Sequence, residues 1–292
     1  MKNKRVIGTF CGIAAAICYG TNPLGALQLY GEGMSTSSVL FYRFGLAWII
    51  IAAIMLFRKE NVKVNRKQFT ALLGLGLMFI TSSITLYLSF RRMAAGVAST
   101  ILFVYPVMTA IIMATFFKER VTMKTTSAIV LSLIGVALLY WTGRSGHLDP
   151  IGVLLVLVSA LSYAIYIVVM NRSNLAFSSL KINFYVLACC TLGVLLYAWL
   201  AKDSIVLPKT TTSWFYVGWL ALVPAIFALV LMVYSAKYIG STPTAILGAL
   251  EPLTAVLIGI FVFNELFTPR LGLGIVLILS AVVIIALPQK RV

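Results

Sequence analysis

Long apolar stretches alternate with short polar or glycine- and proline-containing segments along the whole chain. Most of the apolar stretches have about 20 residues, the length that an α-helix needs to cross the hydrocarbon core of a bilayer. None has the apolar–polar alternation of a barrel strand. The pattern therefore predicts ten transmembrane helices, near residues 7–28, 38–57, 68–90, 97–117, 122–141, 151–170, 181–201, 214–236, 242–263 and 269–287.

The composition favours the same fold class, because 61% of the 292 residues are hydrophobic and only 10% are charged. A soluble domain has about 25% charged residues, and a soluble chain of this length could not bury so much apolar surface. We therefore expect an all-α polytopic membrane protein without a sizeable soluble domain. The apolar run that follows the basic N-terminus is predicted to be an uncleaved first span, not a signal peptide.

The basic residues are distributed unevenly between the two predicted faces of the membrane. Of the 23 lysine and arginine residues, 16 fall on the side of the N-terminus, six fall on the other side, and Arg43 lies within a span. The positive-inside rule then predicts that both termini are cytoplasmic, in a plasma (inner) membrane. Because this bias accounts for the net charge of +16, we expect no nucleic-acid partner.

An internal repeat relates the two halves of the chain. In the first span of each half, Gly8 and Tyr19 match Gly152 and Tyr163 at a shift of 144 positions. At a shift of 146, spans three to five match spans eight to ten, with the pairs Ser89–Ser235, Arg91–Lys237, Pro106–Pro252, Phe117–Phe263, Glu119–Glu265 and Thr122–Thr268.

Five crossings separate the two copies, and since five is odd, the second copy is inverted in the membrane. We divide the chain into a first repeat at residues 1–143 (spans one to five) and a second, inverted repeat at residues 144–292 (spans six to ten). Inverted repeats are typical of carriers that work by alternating access.

This layout resembles the drug/metabolite transporter superfamily, in its two-repeat EamA-type branch. The resemblance rests on the basic N-terminus, the ten spans, the Pro-to-Glu spacing of 13 in both halves, and the segments Ala16–Pro23, Phe41–Phe44, Tyr105–Pro106 with Lys118–Glu119, and Glu251–Pro252 with Asn264–Glu265. It implies an export or exchange carrier whose central cavity is lined mainly by spans one, three, four, six, eight and nine. Members carry amino acids, drugs, sugars and other metabolites, so the resemblance does not name the substrate.

Glu251 is the only carboxylate well inside a predicted span. Its insertion costs about 2.5–3.5 kcal/mol, which suggests that the side chain has a function. Pro252 should free the carbonyl of Gly248 and kink the helix, because proline has no N–H to donate. A carboxylate beside a free carbonyl suits an ammonium group, a cationic solute or a proton. Glu251 is therefore the candidate for proton coupling, with a protonated side chain bonded across helices as the structural alternative.

Other polar and aromatic side chains at mid-span positions are candidates for a substrate cavity. Arg43 has three interpretations: it snorkels outward, binds a substrate carboxylate or pairs with Glu251. The tyrosines and Ser82 have packing between helices as their alternative role. The cavity candidates are Tyr19, Asn22, Arg43, Ser82, Tyr105, Tyr163, Tyr166 and Glu251, and the candidate helix kinks are Pro23, Pro106, Pro224 and Pro252.

Glu119 and Glu265 end equivalent spans, and we expect local ion pairs, of Glu119 with Lys118 or Arg120 and of Glu265 with Arg270. These pairs are preferred to contact with a substrate.

No catalytic, metal or cofactor site is expected. The single histidine, His147, lies with Asp149 in an outer loop, and the sequence has neither a His-Glu-x-x-His motif nor a Gly-Lys-Ser/Thr phosphate loop. Four cysteines in apolar runs are more typical of buried side chains than of a disulfide framework.

These features predict a secondary carrier of small metabolites, an exporter or exchanger, and not an enzyme. Amino acids or related compounds are the first choice, because tyrosines, one acid and one base suit an amphoteric solute. Efflux of cationic aromatic drugs is the alternative, and an ion channel is less favoured because the polar residues are scattered. The expected partners are the small-molecule substrate, the lipid bilayer and, as a candidate coupling ion, the proton. We expect a monomer or a weak homodimer.

The charge distribution predicts that a reporter fused after Val292 is active in the cytoplasm. Labelling of single cysteines in the two termini by a membrane-impermeant reagent checks this, and both should react only after the membrane is opened. An external C-terminus would contradict the ten-span topology.

Overall fold

The computed structural model describes residues 2–93, 95–119, 121–140, 149–173, 177–263 and 268–286. Within these ranges all regular elements are helices, in agreement with the expected all-α fold. In chain order they are α1 (Lys2–Gly20), α2 (Asn22–Gly31), α3 (Thr36–Phe57), α4 (Arg66–Ser89), α5 (Ala95–Leu102), α6 (Tyr105–Phe117), α7 (Met123–Tyr140), α8 (Pro150–Arg172), α9 (Ser179–Ala201), α10 (Thr211–Leu220), a π-helical segment (Ala221–Phe227), α11 (Ala228–Ile239), α12 (Ser241–Leu247), α13 (Leu250–Phe263) and α14 (Pro269–Ala286).

These helices correspond to the ten predicted spans. Spans one, four and nine each consist of two consecutive helices, α1–α2, α5–α6 and α12–α13, and span eight combines α10, the π-helical segment and α11. In the described part of the chain, six helical stretches are long and apolar enough to cross a membrane. Shorter apolar helices in the described residues belong to spans four, five and ten, at Tyr105–Phe117, Met123–Leu138 and Gly272–Ile284.

Helix boundaries recur along the chain with the spacing of the sequence repeat. Helix α7 begins at Met123 and α14 begins at Pro269, a difference of 146 positions. The repeat found in the sequence is therefore a repeat of structural elements.

Packing between the helices follows a two-fold relation between the halves. Helix α4 packs on α8 as α11 packs on α1, and α6 packs on α8 as α13 packs on α1. Two further extensively packed pairs, α3 with α9 and α7 with α14, each join a helix to its own repeat mate across this axis. Because the copies are five crossings apart, the axis lies in the membrane plane, and the fold consists of two inverted five-helix repeats.

Two equivalent glycines show the same close approach of helices in both halves. A Cβ atom at Gly8 would lie 2.7 Å from the Cβ of Tyr238, and one at Gly152 would lie 3.3 Å from the Cβ of Arg92. Tyr238 and Arg92 are themselves 146 positions apart. Small residues at membrane-helix crossings allow such close packing, which explains why glycine occurs in both copies.

The loops after spans two and seven are held by related hydrogen bonds at opposite ends of the bundle. The Ser178 hydroxyl, at the start of α9, donates to Glu60 Oε2 (2.8 Å). The Val206 N–H donates to the hydroxyl of Ser38, at the start of α3 (2.9 Å). The loop after span two is thus bonded to the start of span seven, and the loop after span seven is bonded to the start of span two. Spans two and seven are repeat mates.

Prolines mark the interruptions of the helices. Pro23, Pro106 and Pro252 lie in the first turns of α2, α6 and α13. The N–H groups of a first turn have no acceptor within their own helix, so a proline there removes no helical hydrogen bond. Pro224 lies within the π-helical segment, a conformation that the sequence pattern did not predict.

Gly20 is predicted to be intolerant of a side chain, because its Cβ would lie 2.5 Å from both the Glu251 carbonyl oxygen and the Thr254 Cβ. Gly20→Ala should destabilise the protein by about 1–3 kcal/mol and lower its thermal unfolding midpoint in detergent. The matched control is Gly74→Ala, where a Cβ meets nothing within 4 Å and alanine improves helix propensity. Equal midpoints for the two variants would contradict this packing.

Candidate functional site

Most of the predicted cavity residues converge where the interrupted helices meet inside the bundle. Helix α6 contacts α12, and α1 contacts α13. The hydroxyl of Tyr105 lies where a side chain on Gly248 would be. Gly248 precedes Glu251 by about one turn, so Tyr105 and Glu251 lie in one region. Each residue follows the interruption of its span, four or nine, and these two interruptions are repeat mates.

Five aromatic rings from four spans form a continuous cluster in this region. The Tyr163 ring centre lies 5.0 Å from that of Tyr105, 6.3 Å from Tyr19 and 6.1 Å from Tyr166. The Phe79 ring lies 5.1 Å from Tyr166. All five side chains are buried. We call Tyr19, Phe79, Tyr105, Tyr163 and Tyr166 the aromatic cluster.

Arg43 turns inward from span two and does not snorkel to the interface, since only 2% of the residue is exposed. Its Nη1 donates to the Tyr87 hydroxyl (2.8 Å), and that hydroxyl donates to Asn22 Oδ1 (3.2 Å). The guanidinium carbon also lies 5.0 Å from the centre of the Phe44 ring. These contacts fix Arg43 in the interior, although span two is not among the spans that the resemblance assigns to the cavity.

Glu251 is half-buried in the first turn of α13. Across the described residues its carboxylate forms no ion pair and accepts no hydrogen bond. Neither direct pairing with Arg43 nor a bond across helices is therefore seen there. The expected free carbonyl at Gly248 is wrong, because the Glu251 N–H donates to it (2.9 Å).

Ser82 contributes to packing between α4 and α8. Its hydroxyl lies 3.0 Å from that of Ser159, and the Ser159 hydroxyl donates to the Ser82 carbonyl (2.8 Å). Because these partners satisfy Ser82 within the helix interface, the geometry favours its packing role over contact with a solute.

The sequence interpretation missed three residues of this region, Tyr87, Phe79 and Phe44. Tyr87 is fully buried and joins Arg43 to Asn22. It lies two residues before the end of α4, where the sequence does not distinguish it from a tyrosine of the interfacial belt. The two phenylalanines carry no polar atom, so nothing in the sequence separates them from ordinary core residues.

Charged residues at the ends of the spans pair with partners distant in the sequence. Glu119 accepts from Arg172 Nη2 (3.4 Å), on span six, and not from its neighbour Lys118 as expected. The guanidinium of Arg172 also lies over the Phe117 ring, 4.7 Å from its centre. The other expected participants, Arg120 and Glu265, lie outside the described residues.

Asp149 has a structural role at the start of α8. It accepts from the Ile151 N–H (2.9 Å) as an N-cap and from Arg92 Nη1 (2.9 Å). The hydrogen bond from Arg92 lowers the pKa of the Asp149 carboxyl. Its expected neighbour His147 lies outside the described residues. Within the described residues, no group of three metal-ligating side chains occurs.

Comparison with known proteins assigns this fold to a family. The EamA-like transporter family matches the chain twice, at residues 6–141 and 150–287. A protein of Archaeoglobus fulgidus named "uncharacterized transporter" is 28% identical over 277 residues, which are 92% of this chain and 94% of the relative. The "uncharacterized inner membrane transporter YicL" of Salmonella typhimurium is 24% identical over 289 residues, 96% of this chain and 95% of the relative. A solved crystal structure has the same fold, with a TM-score of 0.78 at 17% identity over 95% of each chain.

The hydrogen bonds of Tyr87 predict that Tyr87→Phe destabilises the protein, because the buried guanidinium loses its acceptor. The expected loss is about 1.5–3 kcal/mol, measured as a lower unfolding midpoint in detergent. Tyr216→Phe is the matched control, since Tyr216 is half-buried and has no hydrogen bond to any described residue. If both variants unfold at the same temperature, Tyr87 does not support Arg43 energetically.

Proposed function

Because the chain belongs to the EamA-like transporter family, we propose that it is a secondary carrier that exports or exchanges small amphoteric metabolites, amino acids or related compounds. The observation that carries this proposal is that the buried Arg43 and the half-buried Glu251 lie at opposite ends of the aromatic cluster and form no ion pair with each other among the described residues. An amphoteric solute offers a complementary charge to each of them.

Alternating access is the proposed mechanism. The two halves are inverted copies with equivalent helix packing, so each half can adopt the conformation of the other. Exchange of the two conformations opens a central site first to one face and then to the other. The proposed site lies at the paired interruptions of spans four and nine, near the centre of this symmetry.

Glu251 is the proposed coupling residue. Its repeat mate is the neutral Tyr105, so only one of the two equivalent positions carries an acid. When access changes between the two faces, such a carboxylate can take up a proton on one side and release it on the other. The proposed location is the plasma membrane, with both termini in the cytoplasm, and the transporter relatives support a non-enzymatic role.

Efflux of cationic aromatic compounds is the second candidate. The aromatic cluster beside a half-buried carboxylate favours it, because tyrosine rings attract cations through their π faces. The two candidates differ in the charge that the solute presents to Arg43.

Exchange in proteoliposomes tests the proposal. Vesicles that contain the purified protein are loaded with the twenty amino acids, and their release against external amino acids or a pH gradient is measured by mass spectrometry. Release of one or more amino acids above that from protein-free vesicles is expected. Transport of ethidium without any release of amino acids would favour the second candidate.

In the same assay, Glu251→Gln should reduce gradient-driven transport at least tenfold while the protein still inserts and unfolds cooperatively. Glu32→Gln, outside the spans, is the matched control and should leave transport unchanged, because a glutamine oxygen can also accept the hydrogen bonds that Thr210 and Ser213 donate to Glu32. Exchange that persists without pH dependence would assign Glu251 to proton coupling, and loss of exchange at every pH would assign it to the ammonium group. Unchanged gradient-driven transport would refute both roles.

A further inference from the structure

The guanidinium of Arg43 holds a hydrogen-bond donor that the described protein does not use. Nη1 is bonded to Tyr87, whereas Nε is buried and has no partner among the described residues. A buried donor without a partner costs about 1–3 kcal/mol, and more when it is charged. Such a group therefore requires an explanation, and a ligand that binds there provides one.

Two further hydroxyls in the same region are buried without a partner within the described chain, those of Tyr19 and Tyr166. Both rings belong to the aromatic cluster. The Tyr19 ring also packs edge-on against the Tyr163 ring, 6.3 Å between centres. The region between the cation and the acid thus contains three unused polar atoms, from spans one, two and six.

Arg43 is held in a fixed orientation. Asn22 accepts from the Tyr87 hydroxyl, which leaves that oxygen free to accept from Nη1. Phe44 lies against the guanidinium, and its ring centre is 6.0 Å from that of Phe79 in the aromatic cluster. The charge is preorganised at one end of a continuous aromatic wall, and no rotation of the side chain is needed when an anion binds.

We propose that Arg43 binds the carboxylate of the transported solute, so that the site takes zwitterions and rejects cations. The Nε–H donates to the solute carboxylate, and the solute ammonium group lies toward Glu251. This inference rests on the proposed function and deepens it, because it names the charge class of the substrate.

Rejection of cations follows from the same charge. A solute with an ammonium group but no carboxylate leaves Nε unbonded and brings a second positive charge toward a buried guanidinium. Repulsion of the wrong ligand is a common source of specificity. The structure therefore disfavours the efflux of simple cations through this site.

The experiment compares amino acids with their amides, which differ only in the carboxyl group. The purified full chain is titrated in detergent with alanine, serine, leucine and phenylalanine and with the amide of each, at about pH 6, where the amines are protonated. Ligand-induced shifts of the unfolding midpoint give the apparent affinities. At least one amino acid should bind about ten- to a hundredfold more tightly than its amide, the size of one charge-assisted hydrogen bond.

Variants separate binding from structure. Arg43→Gln should reduce the preference for the acid over the amide to near one, and Arg43→Lys should keep part of it. Tyr87→Phe keeps the guanidinium but removes its support, so it should lower stability and reduce the preference only in part. This ratio of affinities is a readout that a merely structural role of Arg43 does not change.

Wild-type protein that binds an amide as tightly as its amino acid would overturn the inference, and this comparison needs no variant to fold. A preference that survives in Arg43→Gln would overturn it as well. If the proteoliposomes release amino acids while the amides compete equally, the proposed function stands and the inference alone fails. If the protein neither binds nor releases any of these amino acids, the amino-acid proposal fails and the inference fails with it.

Discussion

Satisfaction of the backbone within the chain is the constraint on which the rest of this structure depends. In the hydrocarbon core no water is available, so every N–H and C=O must find a partner inside the protein. Where the helices are interrupted, tight turns supply those partners: the N–H of Val104 donates to Ile101 (3.1 Å) and that of Glu251 to Gly248 (2.9 Å). Such turns are tolerated away from lipid, and these two lie at the contact between α6 and α12.

The inverted repeat provides a symmetric frame, and the side chains make it chemically asymmetric. The interruptions of spans four and nine are mates, yet one carries Tyr105 and the other carries Glu251. Span one is broken before Pro23 while its mate, α8, is continuous, and span eight has a π-helical segment at Pro224 while α4 has none. In the proposed mechanism, the symmetry of the frame would allow two equivalent conformations, and the asymmetric side chains would give a bound solute one orientation.

The separation of Arg43 and Glu251 connects the electrostatics of the site to its function. An ion pair between them would compensate the desolvation of both charges, so a ligand would gain little by binding to either of them. In the structure Arg43 is instead supported by Tyr87 and two aromatic rings, while the Glu251 carboxylate has no partner among the described residues. In the proposed site the fold therefore leaves these two side chains unpaired with each other, so that both remain available to a solute.

The sequence by itself determined the ten spans, the frame of the repeat, the proline interruptions and the presence of one mid-membrane acid, because run length, repetition and a missing N–H are local properties of the chain. Only the tertiary structure decided that Arg43 turns inward, that Tyr87 supports it, that the Gly248 carbonyl is occupied and that Pro224 lies in a π-helical turn. A long side chain on a membrane helix can reach lipid, water or protein with the same local sequence. Its direction depends on neighbours from spans far away in the chain, and hydrophobic patterning does not encode those neighbours.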